Sequence, residues 1–176
     1  MIDSQPAETP VVGAAFSQPR PFAASGRIGR VRYLAYGFVG MFLVMLAAAM
    51  LGGVVGTTGA SEQVSGAMVQ IVVGSLVLAL TLILARRRLN DMGRTGWWGL
   101  LLLVPLLNFI ATAWLVFGKG DDGANAYGPP PAPNSRGAIV LACIGPVLFV
   151  GVMLYSGVDA YRTYVDRATP SRSQTF

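Results

Sequence analysis

The chain has 176 residues, 53% of them hydrophobic and only 12% charged, and carries a formal charge of +5. A soluble domain has about a quarter of its residues charged, so this composition excludes an ordinary water-soluble fold and makes lipid the expected solvent of the apolar blocks. There is no histidine and one cysteine, Cys143, which excludes an intramolecular disulfide and a cysteine-based zinc site; neither a metal nor a cofactor is expected. The positive balance alone would suit nucleic acid, but the arginines flank hydrophobic segments, so membrane topology accounts for them and no nucleic-acid partner is expected.

Residues 1–24 are rich in Pro, Ala, Gln and Ser, show no hydrophobic period and begin without a basic segment, which predicts a disordered tail and not a signal peptide. The first hydrophobic helix then acts as an uncleaved signal anchor. Four uncharged stretches follow, 33–61, 63–85, 95–118 and 137–158, each longer than the roughly 20 residues that a spanning helix needs. They predict helices over about 33–55, 64–86, 97–117 and 134–158, the first two joined by the turn Gly56-Thr57-Thr58-Gly59, with a cytoplasmic tail over 159–176. The expected fold is an all-α membrane protein, a four-transmembrane-helix bundle behind a disordered N-terminal tail.

With a cytoplasmic N-terminus, eleven basic residues fall inside: Arg20, Arg27, Arg30, Arg32, Arg86, Arg87, Arg88, Arg94, Arg162, Arg167 and Arg172. Lys119 and Arg136 are left outside, so both termini are predicted to be cytoplasmic. Tyr33, Tyr36, Trp97, Trp98, Trp114 and Tyr155 sit near helix ends, as aromatic residues at headgroup depth do. Small residues four apart, Ala48, Gly52 and Gly56, then Ser75 and Ala79, would permit close helix contact, although such residues are common in membrane helices anyway.

Three polar stretches punctuate the apolar ones. In Gly26-Arg27-Ile28-Gly29-Arg30-Val31-Arg32-Tyr33, Arg27, Arg30 and Tyr33 would share a helical face, and Phe22 or Ile28 could reach acyl chains. The segment from Arg86 to Trp98 reads as a helix ending, a turn and a new start: Gly93 suits a left-handed cap, Thr95 can cap the next helix, and Asp91 lies within ion-pairing reach of Arg87 and Arg88. The third stretch, from Gly118 to Pro131, fits neither a P-loop nor a calcium loop; Asp121 and Asp122 read as solvated, and Asn125, Tyr127 and Gly128 as turn chemistry before a stiff proline spacer. For the arginine clusters, topological anchoring is preferred over a specific phosphate or headgroup site. Within the apolar spans there is no ionisable residue except for Cys143 and the tyrosines, hence no obvious proton relay or ion path; Pro105 and Asn108 stand out as a kink and a polar contact in the third span, and Pro146 repeats the kink in the fourth.

Together these stretches resemble the domain of unknown function 805 family of small bacterial inner-membrane proteins, over roughly residues 22 to 131. The resemblance rests on Gly26, Arg27, Arg30 and Tyr33; on Arg87, Arg88, Leu89, Asp91, Gly93, Thr95, Gly96, Trp97 and Trp98; and on Gly123, Asn125, Tyr127, Gly128, Pro129 and Pro131. Asn90 stands where the family usually has histidine, Leu34 where an aromatic usually follows the tyrosine, and the fourth helix lies beyond the family's core. The resemblance implies an inner-membrane location and no particular activity. It also raises a topological alternative: if Pro105 and Asn108 mark a re-entrant hairpin, the second and third motifs share the cytoplasmic face, and the basic residues divide ten to three.

No catalytic residue is assigned. The leading expectation is a non-enzymatic helical module that assembles with itself or with another membrane protein and touches anionic lipid through its arginines. A transport or pore component using Pro105, Asn108 and Pro146 is one alternative, and a lipid-headgroup enzyme using Asp91 with Arg87 and Arg88 is another.

Overall fold

Three apolar stretches become helices long enough to cross a bilayer. The computed structural model describes residues 16, 17, 20, 21, 23–59 and 61–168, and in it α1 (Arg30–Gly56), α2 (Glu62–Asp91) and α4 (Arg136–Ala168) have 27, 30 and 33 residues. At 1.5 Å per residue these are roughly 40 to 50 Å long, against a hydrocarbon core of about 30 Å. Their ends therefore extend into the headgroup layers. α4 continues ten residues past the predicted end at 158, through Asp159, Arg162 and Arg167. Most of the predicted N-terminal tail lies outside the described residues, as does Phe22. Ser17, within that tail, pairs with the chain near Pro131: its N–H donates to the Pro130 carbonyl at 2.9 Å, and its carbonyl accepts from Ala132 N–H at 3.3 Å.

The predicted third spanning helix, 97–117, is corrected by the structure. It divides into a 3-10 helix, Gly96–Leu103, and a short α3, Leu107–Phe117. An 11-residue helix is about 17 Å long, little more than half the hydrocarbon thickness. The break falls at Pro105, which has no N–H to donate, followed by Leu106 with φ 70° and ψ −50°. That conformation, close to a classic γ-turn, reverses the chain sharply. Trp114 lies beside Trp98 instead of at the opposite end of a helix: their rings meet edge to face, with centroids 6.1 Å apart. The segment is a hairpin that enters and leaves at one end of the molecule, as the re-entrant alternative anticipated.

The packed core sits at that same end. Ala85 and Leu89 of α2, Leu102 of the 3-10 helix, and Ala111 and Leu115 of α3 are buried together, with Tyr33, Leu101 and Trp114 packed around them. Further along the helices many large apolar side chains are exposed, and no described residue of α4 is buried, as expected where lipid takes the place of a protein core. Glycines let the helices approach where they do touch. A Cβ on Gly40 would meet Leu80 Cδ2 at 2.7 Å, joining α1 to α2, and one on Gly145 would collide with Phe38, joining α4 to α1. The predicted small-residue stripe behaves differently. Ala48, Gly52 and Gly56 line an open groove of about 780 Å³, and a Cβ on Gly52 or Gly56 would meet nothing within 4 Å.

Candidate functional site: an arginine clamp on the loop backbone

At the packed end, the sequence motifs converge because the end of α2 needs hydrogen-bond partners. The last carbonyls of a helix lack intrahelical donors, and here each of several is met by a different part of the chain. Arg94 N–H donates to Leu89 O at 2.9 Å and Gly93 N–H to Asn90 O at 3.2 Å, with Gly93 at φ 65°. This is the Schellman arrangement that the glycine at 93 led us to expect. Asp121 N–H donates to Asp91 O at 2.8 Å and Ile28 N–H to Arg87 O at 3.3 Å, while Asn125 Nδ2 donates to Asn90 O at 2.9 Å. Thr95 does precede the 3-10 helix, but its side chain makes no capping bond.

Asp91 is the hub. Its Oδ1 accepts from Arg27 Nε at 3.2 Å and its Oδ2 from Arg88 Nη1, and all three side chains are almost wholly buried. Asp91 balances only one of the two arginine charges. Other guanidinium donors of the two arginines go to backbone carbonyls. Arg27 Nη1 donates to the carbonyls of Gly123 at 2.7 Å and Gly128 at 3.0 Å, and its Nη2 to Asp121 O at 2.6 Å. Arg88 Nε donates to Leu115 O at 2.9 Å, and its Nη2 to Gly118 O, so its positive charge sits on the carbonyl end of α3, where a helix dipole favours it. A third arginine follows the same pattern: Arg32 Nη1 donates to Ala132 O at 2.7 Å and Nη2 to Pro133 O. The rigid five-donor fork of arginine suits this work, whereas a lysine offers only a point charge.

The other motif residues support the clamp. Asn125 Nδ2 also donates to Asp121 Oδ2 at 2.8 Å, and Tyr127 N–H donates to Asn125 Oδ1 at 2.9 Å, an Asx turn. Gly128, at φ 115°, adopts a conformation that side chains disfavour. A Cβ on Gly96 would meet Arg86 Cγ at 2.5 Å, and one on Gly120 would lie 2.1 Å from Asp91 Oδ2. Tyr33 packs against the core. Arg30, Trp97 and Pro129 stay outside the clamp and are exposed, and Trp98 is exposed on one side. Arg87 does not pair with Asp91; its Nη1 donates to Pro21 O at 3.2 Å.

Sequence reasoning gave no site role to Arg32, Gly120 or the backbone of Asp121. Asp121 was expected to be solvated, and its side chain is indeed exposed, but its main chain joins the clamp. Asp122 is solvated as expected, in an exposed pair with Lys119. Among the described residues, no group of three or more His, Cys, Asp or Glu side chains could hold a metal ion.

A helical membrane protein with three long apolar helices and a short hairpin, fastened at one end by buried arginines, is the class that this fold and site define. The family model described as "Protein of unknown function (DUF805)" matches residues 21–129, more than half of the chain, and the chain belongs to that family. Over 45 residues it is 38% identical to "Inner membrane protein YhaH" of Escherichia coli strain K12, and equally to the protein of that name from Escherichia coli O157:H7. The matched stretch is 26% of this chain and 37% of each relative, so the chain spans little more than a third of the length of the curated relatives it matches. No solved structure matches the chain. The family match ends before α4, which is additional to it.

Proposed function

We propose that this protein is a non-enzymatic module of the bacterial inner membrane, which assembles with itself or with another membrane protein and contacts anionic lipid through its exposed arginines. One observation carries the reading: both oxygens of Asp91 are held by buried arginines. A general acid or base must reach the proton it transfers, and Asp91, the acid on which a headgroup enzyme would depend, is committed to holding the fold. Arg30, Arg86 and Arg94 remain exposed at the same end as Trp97, a combination suited to a headgroup layer. The relatives named as inner membrane proteins support the location.

The hairpin supports one orientation. With three crossing helices, Arg20, Arg27, Arg30, Arg32, Arg86, Arg87, Arg88, Arg94, Lys119 and Arg136 share the clamp face, and Arg162 and Arg167 lie opposite. The richer face is cytoplasmic by the positive-inside rule. The C-terminus is then periplasmic, in place of two cytoplasmic ends.

Flotation of the purified protein with vesicles tests the lipid contact, and cross-linking in native membranes tests assembly. Phosphatidylglycerol vesicles should be preferred over phosphatidylcholine, the preference should weaken with salt, and the triple variant Arg30→Gln, Arg86→Gln, Arg94→Gln should lose most of it. Equal flotation would refute the lipid contact. Lipid turnover that Asp91→Asn abolishes in a folded protein would favour the enzyme instead. A transport reading keeps one foothold, since Asn108, Gln70 and Thr81 line the groove between α1, α2 and the hairpin; solute flux in proteoliposomes tests it.

A further inference from the structure

One buried arginine is not absorbed by the clamp. Arg87 is 3% exposed, and among the described residues its buried Nε has no hydrogen-bond partner and no carboxylate pairs with its guanidinium. Leaving such a donor unmet is costly, more so on a charged group. Beside it lies a cavity of about 300 Å³ lined by Ser17, Arg20, Ala23, Ser25, Gly26, Arg27 and Arg87. Among the described residues of that lining, every charged one is an arginine, none is a carboxylate, and two serines supply hydroxyl donors. Asp91, four residues further along the same helix, already holds Arg27 and Arg88. A water occupies about 30 Å³, so the cavity has room for a phosphate group and some of its hydration.

We propose that this cavity is a phosphate site, in which Arg87 and Arg20 hold the oxyanion and Ser25 donates a hydroxyl to it. Arginine's planar fork matches phosphate geometry, and the position at the end of α2, on the arginine-rich face, puts the site within reach of headgroups. The phosphate is that of an anionic phospholipid or a soluble one; the recognising chemistry is the same. This deepens the lipid-contact reading and rests on it, but it replaces diffuse attraction with one saturable site.

Native mass spectrometry of the full chain, released from neutral detergent at raised salt, counts bound lipid directly. One phosphatidylglycerol should bind per chain in preference to phosphatidylcholine, and Arg20→Gln should weaken it about fivefold, the equivalent of roughly 1 kcal/mol for one arginine. Arg87→Lys should weaken it further. If Arg87→Lys does not fold, Arg20→Gln decides alone, because Arg20 is exposed and makes no contact in the clamp. Competition by inorganic phosphate at millimolar concentration identifies a soluble ligand; resistance to it identifies the headgroup. Wild-type affinity in Arg20→Gln overturns the proposal. If vesicle flotation still prefers phosphatidylglycerol and responds to Arg30, Arg86 and Arg94, only the pocket has failed. If wild-type flotation shows no preference, the lipid-contact reading has failed with it.

Discussion

The two ends of the α1–α2 pair are built on opposite terms. At the clamp end, charged side chains are buried, and those of Arg27, Arg32 and Arg88 bond to carbonyls of motifs far along the chain. At the other end, α1 and α2 face outward, small residues border an open groove, and the turn is closed by local bonds from Thr57 and Thr58 to Val54 and Val55. The difference teaches where specificity resides in a small membrane protein. Hydropathy places the helices in lipid, which does not discriminate between their arrangements, and the arginines at one end select a single arrangement. They do so by taking up the backbone carbonyls of a loop that would otherwise have to find water.

If this contrast is right, substitutions at the two ends should differ in size and sign. The largest effect is expected from Asp91→Asn, which leaves two buried guanidiniums without their counter-charge; breaking a buried pair costs about 3–5 kcal/mol. The variant should accumulate poorly and lose most of its thermal stability in detergent. Gly120→Ala should come next, destabilising by about 1–3 kcal/mol, the usual range for overpacking, because its methyl would lie against Asp91 Oδ2. Leu106→Gly should act in the opposite direction. It relieves a positive φ that a leucine disfavours, worth roughly 1–3 kcal/mol before the added flexibility of glycine is subtracted, and a raised unfolding temperature would show it. Gly52→Ala in the open groove should be the mildest, stabilising by at most about 1 kcal/mol through helix propensity. A loss of stability there would mean that the groove is occupied in the folded protein.

Much of this could be read from the chain before folding. Long uncharged runs located α1, α2 and α4; Gly93 marked the end of α2; and the spacing of Arg88 and Asp91 foretold their ion pair. The hairpin was harder to read. An uncharged stretch of spanning length looks the same whether it crosses or turns back, and only Pro105 and Asn108 betrayed the break. The clamp was legible as motifs but not as a structure, because the acceptors for Arg27, Arg32 and Arg88 are mostly backbone carbonyls. A carbonyl has no residue type, so Leu115, Gly118 and Ala132 carry no signature of the bonds they accept. Arginines counted as topological signals proved to be divided: Arg27, Arg32, Arg87 and Arg88 are buried, and Arg30, Arg86 and Arg94 are exposed.

The central claim is that the third hydrophobic segment turns back, bringing the motifs on either side of it to one face. Single cysteines at Arg94, Asp122 and Thr58, introduced into a Cys143→Ser background and labelled with a membrane-impermeant maleimide, test it in intact spheroplasts and in inverted vesicles. Positions 94 and 122 should label together in inverted vesicles, and position 58 in spheroplasts. Labelling of 94 and 122 from opposite sides would restore a third crossing helix and contradict the account.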